Sequence, residues 1–224
     1  MLSGLPMLSS TPRIDPIVAR RSSGVLNSSR ACAGCGFAPR PPAMKTRRGW
    51  TGAHKFASDY CFTVAKHLGA RAITCEPPLS QTKRLGRFAD RHQMVVAYHN
   101  HSNISSVEAF GRTGAWEQAF FYSKNNWANA DVGHFTAGNG KPPIDFLREY
   151  HSRITNIHLK DRKINGPNMP WGQGDTPLKE ILQMMKRENY KFTATIELEY
   201  PIPDGSSVVK EVANCVTFCK DALR

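Results

Sequence analysis

Four short apolar runs in this chain each stop on a side chain that can bind a metal. Trp127–Asp131 ends on Asp131, with His134 just beyond it. Ile154–His158 ends on His158 and is followed by Lys160 and Asp161. Phe192–Leu198 carries Glu197, with Glu199 next, and Met94–Tyr98 runs into His99, Asn100 and His101. Each run is rich in β-branched, aromatic or small apolar residues and is only five to seven residues long, which suits a buried strand. Parallel strands that deliver polar groups at their C-terminal ends build a site along one rim of a sheet. Asp, His and Glu converging on that rim suit a divalent metal with open coordination positions.

The segments between the strands read as helices. A stripe of Phe56, Tyr60, Val64 and Leu68 precedes Gly69, a C-terminal stop signal. Leu85, Phe88 and Ala89 mark a helix over residues 82–91. Residues 107–123 are helical in part, with Gly111 and Gly114 weakening the start. A helix over 144–150 follows Pro142 and Pro143. Residues 176–189 place Leu178, Ile181, Leu182 and Met185 on one face. Residues 206–223 place Val209, Val212, Ala213 and Val216 inward. With a further strand at 71–75, five strands alternate with helices, which predicts an α/β chain of the (β/α)8 TIM-barrel type. The body from residue 54 onward has 171 residues, whereas a complete barrel takes roughly 250. About five βα units are visible, so the barrel is expected to be partial.

Residues 1–53 differ in kind. They carry eight Lys/Arg and one acid, against 22 and 17 in the rest, so most of the net charge of +12 lies in this segment. They are rich in Ser, Pro, Gly and Arg and lack periodicity, which predicts a disordered basic extension. The charge therefore says little about the folded part, and nucleic acid is not the expected partner. Cys32 and Cys35 lack a second ligand pair nearby, so they do not make a zinc site. Cys215 and Cys219, four apart on a helix, are expected to be two adjacent buried thiols. No apolar run is long enough to span a membrane, and the absence of a secretory signal pattern points to a cytoplasmic setting with reduced thiols.

Each candidate also has a plainer reading. An Asp after a strand is commonly a turn or helix cap. An isolated His is commonly a satisfied core residue. A Glu inside a buried strand is harder to set aside, because its carboxylate needs a partner. Glu199 has the same orientation as Glu197 by the period of two. Glu76 ends a strand too and could line the pocket, but Pro77 and Pro78 suit an ordinary loop start. Met184 and Met185 read as core packing. Convergence at strand ends shifts the balance towards a site.

Taken together, Asp131–Phe135, Arg153–Arg162, Gly172–Pro177 and Ile196–Tyr200 resemble the sugar phosphate isomerase/epimerase family, with its xylose-isomerase-like TIM barrel. The likeness runs from about residue 56 to 224. It implies a metal held by a Glu, an Asp, a His and a Glu from four successive strands. By motif, Asp131, His158 and Glu197 match the last three, and His99 stands where the first Glu is expected. The resemblance implies that His134, His101, Lys160 and Arg162 face a sugar or sugar phosphate. It implies Mn, Mg, Co or Zn as cofactor, and an isomerase that moves a proton beside a carbonyl through a metal-stabilised enediolate. Glu197 would be one acid/base group, and His99 the other only if it is free of the metal. An inosose-dehydratase-like lyase and a degenerate, non-catalytic barrel fragment are the alternatives. A partial barrel exposes sheet edges, which favours a homo-oligomer.

Overall fold

The computed structural model of the chain describes residues 25–27 and 51–224, with side chains from residue 58 onward. Strand β1 is Val25–Asn27, and helix α1 is Thr51–His67. Then follow β2 (Ala72–Cys75), α2 (Thr82–His92), β3 (Val95–His99), α3 (Thr113–Tyr122) and β4 (Asn126–Asp131). The order continues with α4 (Val132–Asn139), α5 (Ile144–Tyr150), β5 (Ile154–Leu159), α6 (Leu178–Arg187), β6 (Thr193–Ile196) and α7 (Val208–Ala222). The strands lie in sequence order and every neighbouring pair is parallel. Strands β2 to β6 form a curled half-barrel with helical crossovers, as the alternation of elements predicts.

The three-residue β1 pairs with β2 inside the segment expected to be disordered. Cys32, Cys35 and the rest of that expected extension lie outside the described residues.

The core lies between sheet and helices. Trp116 is fully buried and stacks on Phe146 at 4.5 Å between ring centroids. Tyr98, Leu147, Ile157 and Ile181 are likewise sealed from water. Tyr98 is tolerated there because its hydroxyl donates to Asn126 Oδ1 at 2.9 Å.

Three helix faces depart from the periodicity argument. On α1, Phe62 and Ala65 point inward while Tyr60 and, just past the helix end, Leu68 are exposed; the side chain of Phe56 is outside the described set. On α7 the buried face is Glu211, Cys215, Cys219 and Ala222, and Val209 is exposed. The two thiols are thus buried neighbours, as expected, but the valine stripe is not the core face. Glu211 is stable in that position because Tyr200 Oη and Ser206 Oγ donate to its two oxygens. On α6 Met184 is buried and Met185 only half-buried.

Helix α4 is absent from the sequence-based elements. Its residues from Val132 to Gly138 are all buried, so it shows no polar face and no amphipathic period.

Candidate metal and active site

The C-terminal ends of β3, β4 and β5 place three potential ligand side chains together. In register, His99 pairs with Asn129 and Asp131 pairs with His158. Ligand atoms of His99, Asp131 and His158 lie within 4.8 Å of one another. Glu197 comes just past β6, where its amide still donates to Leu159 O at 3.0 Å. Its Oε2 is 2.5 Å from His158 Nδ1. Of the four residues expected to hold metal, three therefore converge directly and the fourth leans on one of them.

Asp131 combines its plain reading with the functional one. Oδ1 accepts from the His134 amide at 2.7 Å and caps α4. Oδ2 is buried and lies 2.9 Å from Lys160 Nζ, but without a directed hydrogen bond. The backbone of Asp131 is fixed by Asn100, whose amide oxygen accepts from Asp131 N (2.7 Å) and whose amide nitrogen donates to Asp131 O (3.1 Å). Asn100 is fully buried. This positioning role was not anticipated, although Asn100 sits at the centre of the His-Asn-His triplet.

The charges follow from this crowding. Burial pushes the Asp131 carboxyl up to about 7, against the pull of Lys160. Burial and the neighbouring His158 bring His99 down to about 4, so its imidazole is neutral at physiological pH. Burial would raise Glu197, but its hydrogen bond to His158 and the nearby charges of His158 and Lys160 outweigh that, and it is held well below the usual carboxylate range. Glu197 is thus ionised at neutral pH.

The residues expected to face substrate divide into two groups. His134 is pinned between two cations, with Lys160 Nζ 3.0 Å from Nε2 and Arg162 Nη1 2.6 Å from Nδ1. Burial and those charges lower it to about 2. Arg162 also donates to Ser102 Oγ at 2.9 Å and Gly166 O at 2.7 Å. Lys160 is 1% exposed and reaches Asp131, Glu197 and Glu199. His101 is the open member: its Nε2 is 3.0 Å from Glu76 Oε2, and that hydrogen bond raises its pKa. Glu76, which read as a loop start, therefore belongs to this rim.

The loop of Gly172 and Gly174 serves structure. Its amides donate to Asp161 Oδ2 at 2.8 and 2.9 Å, and Thr176 N donates to Oδ1 at 3.2 Å. A Cβ on Gly174 would fall 2.0 Å from Asp161 Oδ1, so only glycine fits.

The donor set suits a divalent metal. His99 Nδ1 and Asp131 Oδ2 are buried atoms without hydrogen-bond partners, next to an imidazole and a carboxylate. Two imidazoles and a carboxylate match the preferences of Zn and of its first-row neighbours.

Comparison with known proteins agrees with this architecture. A curated relative, inosose dehydratase of Clostridium tetani (strain Massachusetts / E88), is 25% identical over 137 residues, covering 52% of this chain and 44% of that protein. The chain thus spans less than half the length of that relative. A xylose isomerase domain protein from Planctomyces limnophilus superposes with a TM-score of 0.58 at 18% identity, over 76% of this chain and 66% of that one. The IolI protein, in a structure with a bound zinc atom, superposes with a TM-score of 0.56 at 15% identity, over 79% and 70%. Among the described residues no helix is long and apolar enough to cross a membrane. The model of the xylose isomerase-like TIM barrel matches residues 61–217, and the chain belongs to that family.

Proposed function

We infer that this chain is a metal-dependent enzyme of carbohydrate metabolism, a sugar or sugar-phosphate isomerase/epimerase that moves a proton next to a carbonyl. The observation that carries this reading is the meeting of His99, Asp131 and His158 within 4.8 Å, beside an ionised Glu197. A divalent cation held there supplies Lewis-acid polarisation of a carbonyl and its neighbouring hydroxyl. Glu197 is the base. It is 27% exposed at its side chain, so it can meet a substrate, and His158 orients it. His99 is a poor base at about 4 and a good neutral ligand. That favours one carboxylate base over a symmetric pair. His101 and Arg162 line the approach and offer donors to hydroxyl or phosphate oxygens.

A dehydratase of the inosose type is the second reading, supported by the Clostridium tetani relative. It uses the same base, but the carbanion expels a neighbouring hydroxyl. Incubating the protein, Mn²⁺ and candidate ketoses in deuterated water separates the two. Deuterium entering recovered sugar supports isomerisation or epimerisation, and loss of water with a new double-bond absorbance supports dehydration. Glu197→Gln is expected to lower kcat by roughly 10²- to 10⁴-fold with the melting curve little changed. Full turnover in that variant would remove Glu197 from the chemistry.

A further inference from the structure

Three carboxylates surround one ammonium at this rim. Lys160 Nζ lies 2.9 Å from Asp131 Oδ2, 3.4 Å from Glu197 Oε2 and 2.6 Å from Glu199 Oε2. The lysine is shielded from water, so protein groups alone must meet its charge. Those groups are not equivalent. The Asp131 side chain is completely buried, while the Glu199 side chain is 43% exposed. Against burial, the charges of Asp131 and Glu197 and the contact with Glu199, the shortest of the three at 2.6 Å, together keep Lys160 charged.

Asp131 is also a carboxylate that would hold a divalent ion at this rim, and Glu197 would stand against the same ion. Two cations so close in a water-poor site repel strongly. The lysine cannot withdraw as a whole. A Cβ on Gly133 would fall 2.5 Å from Lys160 O, so the root of the side chain is wedged against α4. Only its tip can move, and Glu199 is already within reach of it.

We propose that Lys160 is a built-in competitor for the metal. Its ammonium and the divalent ion share Asp131 and Glu197, and Glu199 is the station to which the ammonium withdraws when metal binds. Metal affinity is then set by the Lys160–Glu199 pair as much as by the ligands. The inference rests on the metal reading above.

The test is titration of the full chain with Mn²⁺ by calorimetry, in the wild type, Lys160→Met, Glu199→Gln and the double variant. Circular dichroism checks each fold. Lys160→Met is expected to bind at least about tenfold more tightly, equivalent to about 1.4 kcal/mol. Glu199→Gln is expected to bind about threefold or more weakly, because the ammonium loses its retreat. In the Lys160→Met background the Glu199→Gln effect disappears. Wild-type binding with no gain in Lys160→Met, or an undiminished Glu199→Gln effect in the double variant, overturns this inference alone. If Lys160→Met fails to fold, unchanged affinity in Glu199→Gln overturns it. No Mn²⁺ binding in any of the four proteins overturns it together with the metal reading.

Discussion

Two sets of three potential ligands meet at the same rim and share His99. Members of each set have their ligand atoms within 4.8 Å of one another. In the first, His99, Asp131 and His158, one member is a carboxylate and Glu197 stands alongside. In the second, His99, His101 and His134, all three are imidazoles, and both ring nitrogens of His134 face cations, Lys160 and Arg162. A metal at the second set would have to displace a donor from His134 and accept two positive neighbours. The lesson is that ligand spacing alone does not choose a metal site. The charge of the next neighbours does, because their field acts at short range in a site that excludes water.

The sharpest way to break this comparison is Asp131→Asn. Asparagine keeps an oxygen to cap α4 but removes the charge. Mn²⁺ affinity measured by calorimetry is expected to fall at least about 100-fold, beyond the effect typical of a residue supporting a ligand. Affinity within a few-fold of wild type would move the metal to the histidine set.

The pH dependence of stability, measured with chelator present, tests the same charges. Between about pH 4.5 and 6.5 the unfolded chain carries protons on His99 and His134 and none on Asp131. The folded chain leaves both imidazoles neutral, since they titrate at about 4 and about 2, and keeps the Asp131 proton up to about 7. These three groups give the unfolded state one proton more. Their contribution is therefore present near pH 6.5 and lost as pH falls, by about 1.4 kcal/mol per pH unit. In Asp131→Asn the opposing proton is gone, and the slope is expected to double. Chemical denaturation across this range reads both slopes, and equal slopes would contradict the raised Asp131.

Gly133 joins the two sets, because it lets α4, which carries His134, press on Lys160 just past the end of β5. A Cβ there would meet Lys160 O at 2.5 Å and Lys160 Cβ at 2.9 Å. Gly133→Ala is expected to cost about 1–3 kcal/mol. Because the shift separates Asp131 from Lys160, Mn²⁺ affinity should change with stability. Thermal melting and calorimetry on one sample test whether the two move together.

What the sequence makes legible here is local. Strands announce themselves by β-branched and apolar runs that end on polar side chains. The run expected at 154–158 is found at Ile154–Leu159, and that at 94–98 at Val95–His99. The same local signal locates His99, Asp131 and His158. What it leaves dark depends on the third dimension. Helix α4 is buried all round and has no stripe to find. The valines of α7 are spaced like a core face, yet the buried face is the neighbouring one, where Glu211 is tolerated because Tyr200 and Ser206 satisfy it. The Glu76–His101 bond joins residues 25 apart, and no spacing rule reaches that far. Nor does any pattern say that Lys160 is hidden among three carboxylates rather than open to substrate.

The smallest expected effect is also the most selective. The His101 side chain is 54% exposed and hydrogen-bonds to Glu76. Removing it leaves Asn100, Asp131 and the β3–β4 pairing untouched, so His101→Ala should fold and melt within about 0.5 kcal/mol of wild type. If the metal uses Asp131 and His158, Mn²⁺ affinity changes by less than about threefold, because His101 acts on the ion only through space. If the metal uses the imidazole set, the same substitution deletes a ligand and affinity falls at least about tenfold. Binding of a sugar phosphate to the metal-loaded protein is a separate readout. It weakens if the raised His101 imidazolium contacts the phosphate, and holds if His101 only braces Glu76. One substitution thus reads the metal and the substrate side of the rim separately.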